Sequence, residues 1–281
     1  MRLKHRALSL ALAVSLVAAT GCKQTINHLK SNYNIKQGNQ LYKAGDHAKA
    51  IDFYKKAIRL NPDFGLPYYD TALCYMALYK PGSKHPKDQE YLQGAVDYFN
   101  RFLRFEPNNE DAKNFLMTVY MQGERYDDAA AFFEKELKAK QGNPQAASQL
   151  MQRLGMIYAK KGDFETSLDW YKKRAELDKN SPEALYTIGV LCWDKVYHQG
   201  ANLDNEKRSQ LIEMGLDYLN RAVSMKVDYF EAVSYVNLLY REKGKLAQLT
   251  GNLEDVAKYN EEADKNLKLA LEMRKRVMAK K

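Results

Sequence analysis

A unit of about 34 residues recurs from Ser31 toward the C-terminal end of this 281-residue chain, and this repetition limits the fold more than any other feature. The clearest copy is Ser31 to Phe64, SNYNIKQGNQLYKAGDHAKAIDFYKKAIRLNPDF. Small residues, Gly38 and Ala50, stand where two helices of a hairpin would cross, because a larger side chain would force them apart. Gly45 can adopt φ > 0 and end the first helix. Asp46 is placed to cap the second, and Pro62 closes the unit where no further helical hydrogen bond is wanted. Ile51, Tyr54, Ala57, Ile58 and Leu60 follow helical spacing and form one apolar stripe. A single hairpin cannot bury that stripe, so neighbouring copies must do so.

Further copies follow. The second opens at Gly65 with Tyr68, Ala72 and Tyr75, then resumes with Ala95, Phe99 and Pro107. Between them the string from Tyr79 to Tyr91 holds two prolines and a glycine and is expected to be a loop. The third begins at Glu110 with Tyr120, Tyr126, Ala129 and Phe133, but has Met117 in the place of Gly38. The fourth, Ser148 to Ser181, restores Gly155, Gly162, Asp163 and Tyr171, with Ser167 in place of Ala50. The fifth starts at Pro182, carries Gly189, and resumes with Gly215, Leu219 and Ala222 after a polar insertion near Asp194 to Arg208. The sixth starts near Phe230, with a turn expected through Gly244 and Gly251, and ends in a long helix containing Ala263, Leu267 and Ala270. Its RKRVMAKK ending is polar enough to act as a solvent cap. An offset of 117 residues superposes Gly38 on Gly155 and Tyr54 on Tyr171. That register fits a duplicated block of three units, or two surface loops that lengthened independently.

Gly38, Gly45, Asp46, Ala50, Tyr54, Ala57 and Pro62 stand at positions 8, 15, 16, 20, 24, 27 and 32 of the first unit, a pattern that resembles the tetratricopeptide repeat. The resemblance implies an all-α, TPR-type α-solenoid, a right-handed superhelix of about six helix hairpins. The repeats are expected near 31–64, 65–109, 110–143, 148–181, 182–229 and 230–273.

The amino terminus carries Arg2, Lys4 and Arg6, an uncharged run from Ala7 to Ala19, and then Thr20-Gly21-Cys22, the layout of a secretory signal peptide over 1–21. That run is shorter than the roughly 20 residues a membrane-spanning helix requires. The small-small-Cys ending resembles the lipobox of bacterial lipoproteins, which implies acylation of Cys22 and a membrane tether over 22–30. Fully extended, Lys23 to Lys30 would reach at most about 25 Å. Lys rather than Asp at position 23 favours the outer membrane over the inner by the same resemblance, giving a lipid-anchored, periplasm-facing protein of the bacterial envelope.

The net charge of +9 falls by three when the signal segment is removed. What remains alternates with acids, as around Lys55-Lys56 and Lys172-Lys173-Arg174, and reads as solvated helix exterior, so no nucleic-acid partner is expected. Cys74 and Cys192 lie three repeats apart, too far to bridge, and are expected to be small buried hydrophobes. None of the five histidines has metal-ligand spacing, and no phosphate loop or nucleophile elbow is present. The expectation is a non-enzyme with no cofactor, metal or small-molecule substrate.

In tetratricopeptide arrays the first helix of each repeat lines an inner groove. Carried onto this chain, the resemblance assigns that groove to Asn39, Tyr42, Tyr69, Leu73, Met76, Asn114, Thr118, Met121, Gln152, Met156, Tyr186, Val190 and Trp193, with Ser234 and Leu238 beyond. Tyr, Met and Trp supply large, adaptable contact area, and such a groove suits an extended peptide or an amphipathic helix. Leu73, Met156 and Val190 fit partner contact and inter-repeat packing equally, whereas Tyr69, Tyr186 and Trp193 fit the groove better. Ile35 stands with Asn39 where the carboxylate-clamp members of the family carry Lys with Asn, so capture of a free carboxyl terminus is not expected. The function expected is an envelope scaffold for protein partners, similar to the lipoproteins that assist outer-membrane protein or pilus and secretin assembly. The alternative is a peptidoglycan or glycan binder whose groove aromatics stack on sugars.

Overall fold

Glycine and aspartate set the helix boundaries where the repeat pattern places them. In the computed structural model, which describes residues 2–140 and 142–279 and their side chains from Lys23 onward, Gly45 and Gly162 adopt φ of 80° and 87°. The adjoining carboxylates cap the following helices: Asp46 accepts from the Lys49 N–H at 3.2 Å, and Asp163 from that of Thr166 at 3.1 Å. Cys22, the expected acylation site, lies outside the residues whose side chains are described.

The described residues form twelve α-helices and no strand, in two compact units, 1–125 and 126–281. In the first unit α1 (Arg2–Lys43) pairs with α2 (His47–Leu60), α3 (Leu66–Leu78) pairs with α4 (Pro86–Phe105), and α5 (Glu110–Gln122) packs on α4. In the second, α6 (Tyr126–Ala139) packs on α7 (Pro144–Lys161), which pairs with α8 (Phe164–Leu177). Next come α9 (Pro182–Gln199) with α10 (Asn205–Met225), and α11 (Phe230–Leu249) with α12 (Leu253–Ala279). Within each unit every helix packs on the next, and α11 also touches α9, so the hairpins stack in series as a solenoid does. The boundary at 125/126 falls inside the span 110–143.

Close approach within a hairpin depends on the small residues. A β-carbon on Gly38 would come to 2.5 Å of the Tyr54 ring. Ala50, Tyr54 and Ala57 are buried on α2. In the second unit a separate buried cluster includes Phe164, Leu168, Tyr171, Ile188, Leu219 and Leu239. Cys74 and Cys192 are free thiols with no exposed surface, and burial pushes each up to about 12.

Three sequence expectations are corrected. The segment expected as a loop from Tyr79 to Tyr91 is helical from Pro86, because proline at the first helical position suits a helix start and the His85 ring accepts from the Lys87 N–H at 3.2 Å. The insertion near Asp194 to Arg208 is mostly helix: α9 runs on to Gln199, a short 3-10 helix spans Gly200–Asn202, and Asp204 caps α10 through the Lys207 N–H at 2.6 Å. Gly244 is not a turn. It is buried within α11, where a β-carbon would meet the Asn260 side chain at 3.3 Å, and only Gly251 takes a left-handed φ, of 77°. The segment Lys23 to Lys30, expected as a tether, is helical as part of α1, so it rises about 12 Å at 1.5 Å per residue.

Candidate functional site

In the first unit the expected groove residues stand on α1, α3 and α5, and none of them is fully buried. Asn39, Tyr42, Asn114 and Thr118 are exposed, while Tyr69, Leu73, Met76 and Met121 are half-buried. Tyr69 is held by its own neighbours: its ring centroid lies 4.9 Å from that of Phe102 and 6.3 Å from that of Phe115 on α5. Burial, and then the nearby Asp111 and Asp70 carboxylates, raise its phenol pKa. Asn39 Oδ1 accepts from the Tyr54 hydroxyl at 2.7 Å, and the Thr118 hydroxyl donates to the Asn114 carbonyl at 3.0 Å. A cleft of about 540 Å³ opens between Ile35, Asn39, Lys43, Phe64 and Leu66.

Asp70, one residue from Tyr69, was not singled out by the repeat pattern. It is half-buried on α3, and burial pushes its carboxyl up to about 6.

In the second unit the groove aromatics join across helices. Tyr235 on α11 sits between two residues of α9, with its ring centroid 5.7 Å from Tyr186 and 5.2 Å from Trp193. Trp193 in turn stacks on Tyr197 at 5.0 Å with planes 19° apart. Burial, with Tyr235 and Glu231 adding to it, pushes the Tyr186 phenol up to about 12. Val190, Ser234 and Leu238 are half-buried beside this row, and Gln152 and Met156 are exposed on α7. Tyr197 and Tyr235 were missed by position counting. Tyr197 lies in the stretch taken for an insertion, yet it is one turn from Trp193 on an unbroken helix.

A second cleft, of about 500 Å³, opens beside Gln152 between α7 and the end of α8. Its walls include Gln145, Ser148, Gln149, Arg174 and Asp178. Arg174 is buried, and its Nε–H donates to Ser148 Oγ at a long 3.4 Å.

The described residues contain no group of three or more metal-ligating side chains. Sequence profiles described as tetratricopeptide repeat match residues 35–64, 88–144 and 148–181. The chain is a tetratricopeptide-repeat protein. Among curated proteins, anaphase-promoting complex subunit 3 of Schizosaccharomyces pombe is 26% identical over 141 residues, which is 50% of this repeat protein and 19% of the relative. Photosystem I assembly protein Ycf3 of Acaryochloris marina is 30% identical over 100 residues, 35% of this chain and 59% of that one. The chain therefore spans less than two thirds of the length of either relative. A solved tetratricopeptide-repeat protein from Bacteroides fragilis is 18% identical, with 76% of this chain and 98% of that chain covered and a TM-score of 0.46.

Proposed function

We propose that this tetratricopeptide-repeat protein is a lipid-anchored scaffold of the bacterial envelope, tethered through Cys22 and facing the periplasm, that gathers protein partners along the first helices of its repeats. The observation that carries the reading is that Tyr69 and Met76 on α3 and Tyr186 and Trp193 on α9, although packed in part against neighbouring helices, each keep exposed surface. The sequence of residues 1–22 supports the anchor, and Lys23 supports the outer membrane over the inner. Among the described residues no helix is long and apolar enough to cross a membrane. The partner class that fits is an extended or amphipathic helical segment of an outer-membrane, pilus or secretin subunit awaiting assembly. We take the units near 31–64, 65–109, 110–143, 148–181, 182–229 and 230–273 as the repeats that present this surface.

One observation favours the alternative of a glycan ligand. Tyr197 is 54% exposed and stacked on Trp193, which offers a flat aromatic face to a sugar ring. Crosslinking in intact membranes followed by mass spectrometry separates the two, since a protein partner supports the scaffold and recovery of peptidoglycan alone replaces it. Cys22→Ser is expected to release the protein into the soluble periplasmic fraction, and unchanged membrane association would remove the anchor.

A further inference from the structure

Arg174 occupies a place where three of the other five units carry alanine. The 117-residue offset lays it on Ala57, and the corresponding positions of the fifth and sixth units hold Ala222 and Ala270, while the second and third hold Phe102 and Glu136. All three alanines are buried where the helices of a hairpin meet. Arg174 stands at the same repeat position with only 9% of the residue exposed, and its Nη1 is sealed from water. Arginine stays protonated under all ordinary conditions, and a buried cation is costly unless it is paired.

Its pairing is incomplete. Nε makes the one long bond to Ser148, and Nη1 is buried with no hydrogen-bond partner. Among the described residues no carboxylate forms an ion pair with Arg174. Glu183, close enough to feel its charge, is instead bonded to Lys226 at 2.8 Å. The side chain lines the 500 Å³ cleft described above, whose other wall is the amino-terminal turn of α7 with Gln145 and Gln149. That turn adds the positive end of an 18-residue helix to the same space.

We propose that this cleft binds a carboxylate, with Arg174 as its cationic anchor and the amides of Gln145, Gln149 and Gln152 as flanking donors. The carboxylate belongs to a peptide partner laid along α7, so the inference rests on the scaffold reading and specifies the chemistry its partner must carry. A planar carboxylate matches the guanidinium fork. Asp178 in the same wall adds negative charge to the cleft, which penalises a dianion such as phosphate more than a carboxylate.

The test follows the Arg174 side-chain Nε–H resonance in the full-length protein during titration. N-acetylglycine presents a terminal carboxylate, the α-amide of N-acetylglutamate presents a side-chain carboxylate, and N-acetylglycinamide is the neutral control. Saturable movement with the carboxylates and none with the neutral amide is expected. The stronger of the two responses assigns a carboxyl terminus or an acidic side chain to the partner. Absence of saturable movement overturns the site. In Arg174→Met the response of the neighbouring Ser148 and Gln149 amides should be lost, and an undiminished response there also overturns it. Arg174→Met should melt at the same temperature as the parent or higher, since no ion pair is removed, whereas a marked fall would make Arg174 a structural residue instead. Membrane crosslinking through Trp193 reads the scaffold separately. If Arg174→Met still captures a protein partner and the parent shows no carboxylate response, the anion site fails and the groove stands.

Discussion

Gly155 faces the ring of Tyr171 with no room for a β-carbon, which would stand 2.7 Å from both Cε1 and Cζ of the tyrosine. Gly155→Ala is therefore expected to destabilise the second unit by about 1–3 kcal/mol through overpacking. Urea unfolding measures the loss. Adding Tyr171→Leu should recover part of it by withdrawing the ring, and equal stability of the parent and Gly155→Ala would show that the hairpin can spread at little cost.

Asp70 makes stability depend on pH in an unusual direction for a carboxylate. Its folded-state value of about 6 lies above the ordinary 3.8, so between those values the folded protein holds a proton that the unfolded chain has released. The contribution of this group to stability therefore falls as pH rises from about 4 to about 6, and the ionised carboxylate is a standing penalty above that. Asp70→Asn should be more stable than the parent at pH 8 by about 1–2 kcal/mol after allowance for partial solvent access. The advantage should vanish below pH 4. Denaturant midpoints of both proteins at several pH values test this, and a constant difference across the range would contradict it.

Arg208 and Glu242 form a pair at 2.9 Å with both side chains largely buried, and Lys245 adds a second bond to Glu242 at 2.6 Å. Removing Glu242 strands the buried Arg208, so Glu242→Ala is expected to cost about 3–5 kcal/mol, and Arg208→Ala less because Lys245 still pairs with Glu242. The double replacement Arg208→Met with Glu242→Leu should cost much less than the sum of the single changes. Additive losses in a double-mutant cycle would show that the two charges act independently.

Tyr186 and Trp193 are tied to each other through Tyr235, so replacing both by alanine removes aromatic contacts as well as exposed surface. The double change should lower stability by about 1–3 kcal/mol while leaving the helical circular dichroism intact. Partner recovery by crosslinking should drop by an order of magnitude or more. Collapse of the helical signal would place these rings in the core rather than in a binding surface.

Helix ends were legible wherever local chemistry fixes them. Gly45, Gly162, Asp46 and Asp163 act through their own backbone and side chains, and the structure shows the bonds their types predict. The long connections were harder to read because a proline, a glycine or a polar run can either start a helix or interrupt one. Pro86 starts α4, Gly244 lies buried within α11, and α9 continues through polar residues to Gln199, because what decides each case is packing against another helix. The aromatic row was half legible. Tyr186 and Trp193 follow from repeat position, but Tyr235 joins them only through the register of α11 against α9. Arg174 carried a signal in one dimension, a charged residue where the pattern asks for alanine, but the lack of a hydrogen-bond partner for its Nη1 is visible only in three dimensions.

The sealed thiols have a practical consequence. Among the residues whose side chains are described, each compact unit holds one cysteine, Cys74 in the first and Cys192 in the second, and neither has surface that a reagent could reach. Alkylation at either position requires that unit to open, so the labelling rate of each cysteine, resolved by peptide mass, is a clock for the breathing of its own half of the chain.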